Sequence, residues 1–460
     1  MWTSKELSKV LNYKINKDFI IDSVSIDSRT IKKKSLFIPI KGEKFNGHKF
    51  ISNALKNGAE CSIIEKKYLN TINNINKDFL IPVSNSSDAL LKLAKFSRSR
   101  LKKTRMICVT GSSGKTTIKE WLKRIIGIKK NIFVNPGNFN NEVGMPLSLC
   151  NIPKNAEISV MELGMNQPGE IEKLTNIANP NISIITNIGP AHIGNFSDQS
   201  AIAYEKASIF KNKFQNIGII PRDSDCFNIL KKESKENSKN TFSFGYNKYS
   251  DFQILKYIPY KNNRTKICFR LLNQKIEIYT KNHGKHWAIN TLIIFSVLKL
   301  LEINFEDMLE EISLLSPENG RGSIHNIFFK GKNITLLDDS YNSNPLSLNA
   351  SLETMKQLIN KRKICIIGDM LELGKKSESF HRKVINSIIS ARADIVYTIG
   401  EHSEIISKSL PKNIDTSHFK NLKILYDKLS SNINEGDLIM VKGSNSIGLN
   451  TISKKIKESF

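Results

Sequence analysis

The string Gly111-Ser112-Ser113-Gly114-Lys115-Thr116-Thr117 constrains the fold more than any other feature of the chain. A short apolar run, Met106-Ile107-Cys108-Val109, precedes it. After it, Ile118, Trp121, Leu122, Ile125 and Ile126 share one face at helical spacing, and Gly127 marks a stop. Strand, glycine loop and helix in that order form a phosphate cradle. The glycines let backbone N–H groups approach phosphate oxygens. The helix N-terminus adds partial positive charge, Lys115 adds a full one, and the Thr116 hydroxyl can ligate Mg²⁺. Gly111, Ser112, Ser113, Gly114, Lys115, Thr116 and Thr117 are therefore the expected nucleotide contacts. The loop is not the common P-loop, because G-x-x-x-x-G-K-[ST] needs a glycine where this chain has Val109.

Strand-like and helical runs alternate along most of the chain, which predicts an α/β protein with mostly parallel sheets. Composition shifts divide it into three units. Residues 1–84 form a small α/β domain, closed by the cluster Ser84-Asn85-Ser86-Ser87-Asp88, which reads as a linker and helix N-cap. Residues 85–315 form a central mononucleotide-binding domain around the phosphate loop. Residues 316–460 follow the Pro/Gly-rich joint Ser316-Pro317-Glu318-Asn319-Gly320-Arg321-Gly322 and form a Rossmann-like domain. The tract Lys231–Asn240 reads as a polar loop.

The formal net charge of +26 would suit a polyanionic partner. Its lysines are spread along the whole chain without a compact basic block or interleaved aromatics, so solvated surface lysines are expected and nucleic acid is not. Six cysteines without C-x-x-C spacing point away from zinc and disulfides and toward a reducing, cytoplasmic setting. The first residues carry no long apolar run, and Leu292–Leu301 is too short to span a bilayer, so neither a signal peptide nor membrane insertion is expected.

Three residues beyond the loop could carry chemistry. Glu162 ends a strand, His192 follows the turn after the next strand, and Lys206 lies in the helical run Ala201–Phe210. Neighbouring parallel strands end close together, which would bring Glu162 and His192 toward Thr116 and a metal. Spacing alone leaves the plainer readings open: a capping glutamate, a structural histidine, one lysine among many.

The longer strings resemble the Mur ligases. They include Asp27-Ser28-Arg29, Asn135-Pro136-Gly137-Asn138-Phe139-Asn140-Asn141, Glu162-Leu163-Gly164-Met165, Thr186-Asn187-Ile188-Gly189-Pro190-Ala191-His192, Asp338-Asp339-Ser340-Tyr341-Asn342-Ser343-Asn344-Pro345, Gly368-Asp369-Met370-Leu371-Glu372-Leu373-Gly374 and Val441-Lys442-Gly443-Ser444. The Asp338–Pro345 and Gly368–Gly374 strings resemble the branch that adds D-alanyl-D-alanine to a UDP-N-acetylmuramoyl-tripeptide in peptidoglycan synthesis.

The resemblance implies ATP and Mg²⁺, an acyl-phosphate intermediate, and a monomer. It gives Lys115 and Arg321 the phosphate charge, and Thr116, Glu162 and His192 one Mg²⁺. Lys206, if carbamylated, would hold a second, and His192, Lys206 and Arg321 join Lys115 as catalytic groups. His286 and Asn290 would meet the adenosine and Asp339, or else Asp338, the ribose. Asp27, Ser28 and Arg29 would meet the UDP-sugar, with Asn138, Asn141, Asn342 and Asn344 as further substrate contacts. The chain departs from the family's usual strings at Pro190, Asn195, Ala207-Ser208 and Asn445. Two rivals are a folylpolyglutamate-type synthetase and a basic nucleic-acid-binding NTPase.

Overall fold

The computed structural model describes residues 1–42, 45–72, 75–212, 216–260, 264–360 and 362–458. The apolar run before the phosphate loop is the strand Arg105–Thr110, parallel to Ile158–Glu162 on one side and Ile182–Ile185 on the other. These belong to a nine-stranded sheet in the order Ile132–Val134, Ile158–Glu162, Arg105–Thr110, Ile182–Ile185, Asn216–Pro221, Ser238–Gly245, Phe252–Tyr260, Arg264–Leu271, Gln274–Thr280. Neighbours run parallel as far as Phe252–Tyr260; the last two strands add on antiparallel.

The helix after the loop, Lys115–Ile126, buries Ile118, Trp121, Leu122, Ile125 and Ile126, and Gly127 caps its end. Its spacing explains the packing: those five positions form one apolar stripe that faces the sheet. Trp121 stacks on Trp287 at 5.6 Å between ring centroids. Trp287 belongs to the helix Lys285–Leu300, which contains most of the apolar run noted in the sequence and is buried almost all round. No described helix is long and apolar enough to cross a membrane.

The tract Lys231–Asn240 is not a loop. It is the end of the helix Phe227–Asn237 and the start of the strand Ser238–Gly245. That helix buries only Leu230 and Ser234, one turn apart, so an almost wholly polar composition hides a genuine helical face.

Besides a short antiparallel pair, Trp2–Thr3 with Ile20–Ile21, two larger sheets accompany the central one among the described residues. A parallel four-stranded sheet joins Ser23–Ser25, Ser35–Phe37, Ala59–Glu65 and Leu80–Val83. The helix Ser86–Arg100 then begins with Asn85 as its cap, whose side chain accepts from the Asp88 N–H. Toward the C-terminus a six-stranded sheet runs Ser323–Phe329, Lys332–Asp339, Asp437–Lys442, Arg362–Gly368, Ile395–Ile399, Asp415–Phe419, parallel except for its first hairpin. The architecture is the mostly parallel α/β one that the alternating pattern implies. All six cysteines are free.

Candidate active site

Parallel strands deliver their loops to one edge, and α/β proteins bind ligands at that edge. Here the carboxyl ends of Arg105–Thr110, Ile158–Glu162 and Ile182–Ile185 face those of Lys332–Asp339 and Asp437–Lys442 across a cleft of about 880 Å³. Residues 112–117 of the phosphate loop, Glu162, His192, Lys206, His286, Asn290, Arg321 and Asp339 all line it, while Gly111 stands behind the loop.

The loop is tightly framed. Gly111 has φ 149° and Gly114 φ 80°, conformations that favour glycine. The Ser113 N–H donates to Asn187 Oδ1 at 2.9 Å, and Thr186 Oγ1 donates to the Ser113 carbonyl at 2.6 Å. Ser112 exchanges hydrogen bonds with Gly189 through its hydroxyl. Lys115 is folded back, donating to the Gly111 carbonyl at 2.8 Å. Burial lowers its pKa from the ordinary value; the Glu162 carboxylate opposes this and the Arg321 guanidinium adds to it.

Thr116 Oγ1 donates to Glu162 Oε2 at 2.7 Å. The other carboxylate oxygen accepts from Asn140 Nδ2, also at 2.7 Å. A hydroxyl and an aligned carboxylate at a helix N-terminus are hard oxygen donors of the kind Mg²⁺ takes. His192 lines the same cleft, with its Nδ1 2.5 Å from Glu372 Oε2. Among the described residues, no three His, Cys, Asp or Glu side chains form a ready-made metal cage.

Lys206 is 2% exposed. Burial drives its pKa well below the ordinary lysine value, with the positive charge of Lys115 adding to the effect and Glu205 opposing it. The uncharged amine is thereby favoured.

The far wall carries cations and a carboxylate. Arg321 lies over the Tyr341 ring at 4.0 Å, held between Gly320 and Gly322. Asp339 accepts from Lys442 at 2.7 Å and from the Ser351 hydroxyl. Its neighbour Asp338 instead pairs with Lys457 at 2.6 Å and Ser340, and does not line the cleft. Alternation along the strand sends the two carboxylates to opposite faces, which makes Asp339 the member of the pair available to a ligand. Asn290 approaches the loop closely: a Cβ on Gly114 would meet its Oδ1 at 3.3 Å. Burial pushes the His286 pKa down to about 4, and the Lys442 charge adds to this.

The asparagines have visible structural tasks. Asn344 caps the helix Pro345–Gln357 with its oxygen and donates to the Ser112 carbonyl at 3.1 Å with its nitrogen. Asn141 accepts from the Gly144 N–H, and Asn342 from the Ser343 N–H. Asn138 lines the cleft. Asp27, Ser28 and Arg29 do not; Arg29 grips Asp27 in the turn that follows the strand Ser23–Ser25. Sequence reasoning missed Asn140, Asn187, Tyr341, Glu372 and Lys442 as supports. Each acts on a partner distant in the chain, and their only signal was membership of the same polar strings.

The chain is similar to known proteins over most of its length. Three family models match: the Mur ligase family catalytic domain over residues 20–98, the Mur ligase middle domain over 109–298, and the Mur ligase glutamate ligase domain over 326–445. The chain belongs to the Mur ligase family. A Mur ligase of Rickettsia prowazekii, a UDP-N-acetylmuramoyl-tripeptide–D-alanyl-D-alanine ligase, is 34% identical over 98% of this chain and 99% of its own length. The MurF ligase of Thermotoga maritima, solved with ADP, is 28% identical and superposes with a TM-score of 0.82 over 96% of this chain and 99% of that one. The MurF structure of Acinetobacter baumannii, at 23% identity, reaches a TM-score of 0.86 over 99% of both chains and shares the fold.

Proposed function

We propose that this Mur ligase joins D-alanyl-D-alanine to UDP-N-acetylmuramoyl-tripeptide, converting ATP to ADP and phosphate. The observation that carries the reading is one cleft holding the phosphate loop, Glu162 and Arg321 on facing walls. The tripeptide carboxylate attacks the γ-phosphorus of ATP, releasing ADP and forming an acyl phosphate. The D-alanyl-D-alanine amine then attacks that carbonyl and expels phosphate as the amide forms and the amine loses its proton. In the first step two anions must meet, so positioning and charge neutralisation dominate.

Lys115, released from the Gly111 carbonyl, and Arg321 neutralise phosphate oxygens from opposite walls. The loop N–H groups fix the phosphates in line. Asn290 and His286 meet the adenosine and Asp339 the ribose. Thr116, Glu162 and His192 would hold Mg²⁺, which would supply further charge neutralisation. The buried, uncharged Lys206 amine attacks CO₂, forming a carbamate and releasing a proton; the carbamate would offer an anionic oxygen donor to a second Mg²⁺. Residues 1–84 take the UDP-sugar through Asp27, Ser28 and Arg29, residues 85–315 the nucleotide, and residues 316–460 complete the ligase site, with Asn138, Asn141, Asn342 and Asn344 lining the substrates' approach. The working unit is a cytoplasmic monomer, a reading supported by a cleft whose two walls come from one chain and by six free cysteines.

The folylpolyglutamate-type alternative gives way because the Asp338–Pro345 string and the N-terminal sheet are both present. The test is phosphate release with ATP and Mg²⁺, each substrate added singly and together. Release should need both the muramoyl tripeptide and D-alanyl-D-alanine. Release indifferent to the dipeptide would refute the specificity.

A further inference from the structure

A lysine taken wholly out of water needs partners for its charge. Lys119 is such a residue: it is 0% exposed and lies one turn after Lys115 on the helix Lys115–Ile126. Its ammonium has three protons to donate. Two go to backbone carbonyls, Asn135 at 2.7 Å and Gly137 at 2.9 Å, and Glu120 Oε1 stands 3.2 Å away. An apolar side chain could fill the same place on the helix. Only a group with several donors draws two carbonyls to one point.

Those carbonyls belong to the turn after the strand Ile132–Val134. Residues 136–139 are exposed, and polar contacts hold the turn from beneath. Gly137 takes φ 50°. The buried Asn135 side chain accepts from the Glu162 N–H and donates to the Phe139 carbonyl, both at 2.8 Å. The Asn140 carbonyl accepts from the Gly164 N–H at 2.8 Å. Asn140 Nδ2 thereby reaches Glu162 Oε1, and Glu162 Oε2 is left to the Thr116 hydroxyl. Thr116 and Lys119 share a helix, so the contacts close a circuit: from the helix to the carboxylate, on to Asn140 and the turn, and back to the helix.

We infer that Lys119 is a positioning residue for the metal site: it shapes the turn 135–141 so that Asn140 holds one oxygen of Glu162 and aims the other beside Thr116. This rests on the assignment of Glu162 as a metal ligand. Lys119 itself does not line the cleft.

The test uses the full chain with ADP and Mn²⁺ as probes. Three readouts apply: Mn²⁺ affinity in the presence of ADP by electron paramagnetic resonance, ADP affinity without divalent metal by calorimetry, and hydrogen exchange of the 135–141 amides. Lys119→Met keeps the length of the side chain and removes its donors. It should weaken Mn²⁺ by about 10–100-fold, the range for loss of such a support. It should also speed exchange across 135–141 and leave metal-free ADP affinity within about threefold. Asn140→Ala should weaken Mn²⁺ by a similar factor, and the double variant should bind no worse than the weaker single one, because the two residues act in series. Factors that multiply in the double variant would overturn the inference. An equal fall in metal-free ADP affinity would mark general damage to the phosphate-loop helix and would also overturn it. Unchanged Mn²⁺ affinity in Lys119→Met, with Mn²⁺ lost in Glu162→Ala, would overturn it and leave the metal assignment standing. Mn²⁺ binding unaffected by Glu162→Ala would remove the metal assignment and the inference together. If Lys119→Met does not fold, Gly137→Val tests the other end of the same bond, since a β-branched side chain disfavours φ 50° and the position is exposed. It should weaken Mn²⁺ in the parent and add nothing to Asn140→Ala; no effect, or an additive one, would overturn the inference.

Discussion

Gly111→Ala should cripple nucleotide binding, and the structure divides the effect into two parts. A Cβ at residue 111 would stand 1.8 Å from Thr186 Oγ1, 3.0 Å from Thr186 Cβ and 3.1 Å from the Thr186 nitrogen. Rotating the threonine removes the first clash but sacrifices its hydrogen bond to the Ser113 carbonyl, costing about 1 kcal/mol. The Thr186 N–H is also tied to the Thr110 carbonyl at 2.9 Å, so the backbone cannot retreat freely. The second part is conformational: φ 149° at residue 111 penalises any side chain by about 1–3 kcal/mol. Together the loop loses about 2–4 kcal/mol of its binding geometry. At 1.4 kcal/mol per tenfold, ATP affinity should fall by roughly 30- to 1,000-fold. Titration with a fluorescent ATP analogue measures this. Thr186→Ala removes the hydroxyl and with it the same hydrogen bond, so alone it should cost about 1 kcal/mol, and added to Gly111→Ala it should cost nothing further. Gly111→Ala binding within threefold of the parent would refute the whole argument. A double variant weaker than Gly111→Ala by the full cost of Thr186→Ala would refute the steric part, since the two effects would then be independent.

Two other expectations follow from burial. His286 is held neutral, with its pKa pushed down to about 4, while an unfolded histidine titrates near 6.5. The unfolded chain then binds the extra proton between those values, so stability is fully present above about pH 6.5 and declines as pH falls toward 4, by up to about 3 kcal/mol. Urea midpoints at pH 7 and pH 5 should converge in His286→Gln; equal pH sensitivity in both proteins would contradict this. Lys206→Ala should abolish ligase turnover and recover part of it with added short carboxylates that enter the vacated site; a fully active variant would remove Lys206 from the mechanism.

The parts legible in the sequence were those in which one segment carries its own instructions. Ile118, Trp121, Leu122, Ile125 and Ile126 declare a helix face by spacing alone, and all five are buried where that spacing puts them. Thr116 and Glu162 could be paired in advance because parallel strands end side by side; their registers align Val109 with Glu162. The antiparallel extension was legible in principle: Thr265, Ile267, Phe269 and Leu271 alternate as buried residues along Arg264–Leu271. Glu372 and Lys442 lie in another category. Nothing local distinguishes Glu372 from any loop glutamate, or Lys442 from the chain's many lysines. Their meaning arises from what a second sheet brings to them, 2.5 Å from His192 and 2.7 Å from Asp339.

Asn344 places both ends of one amide under load. Its oxygen holds the start of a C-terminal helix, and its nitrogen holds the carbonyl of Ser112 in the phosphate loop. A rearrangement of Ser112 on nucleotide binding would be felt at that helix, and displacement of the helix would be felt in the loop. Coupling of this kind is reciprocal. The nucleotide's residence time thus becomes a gauge of how firmly the C-terminal unit sits, and Asn344→Asp, which keeps the cap but sets a carboxylate against a carbonyl, turns the same tether into a spring that pushes the two apart.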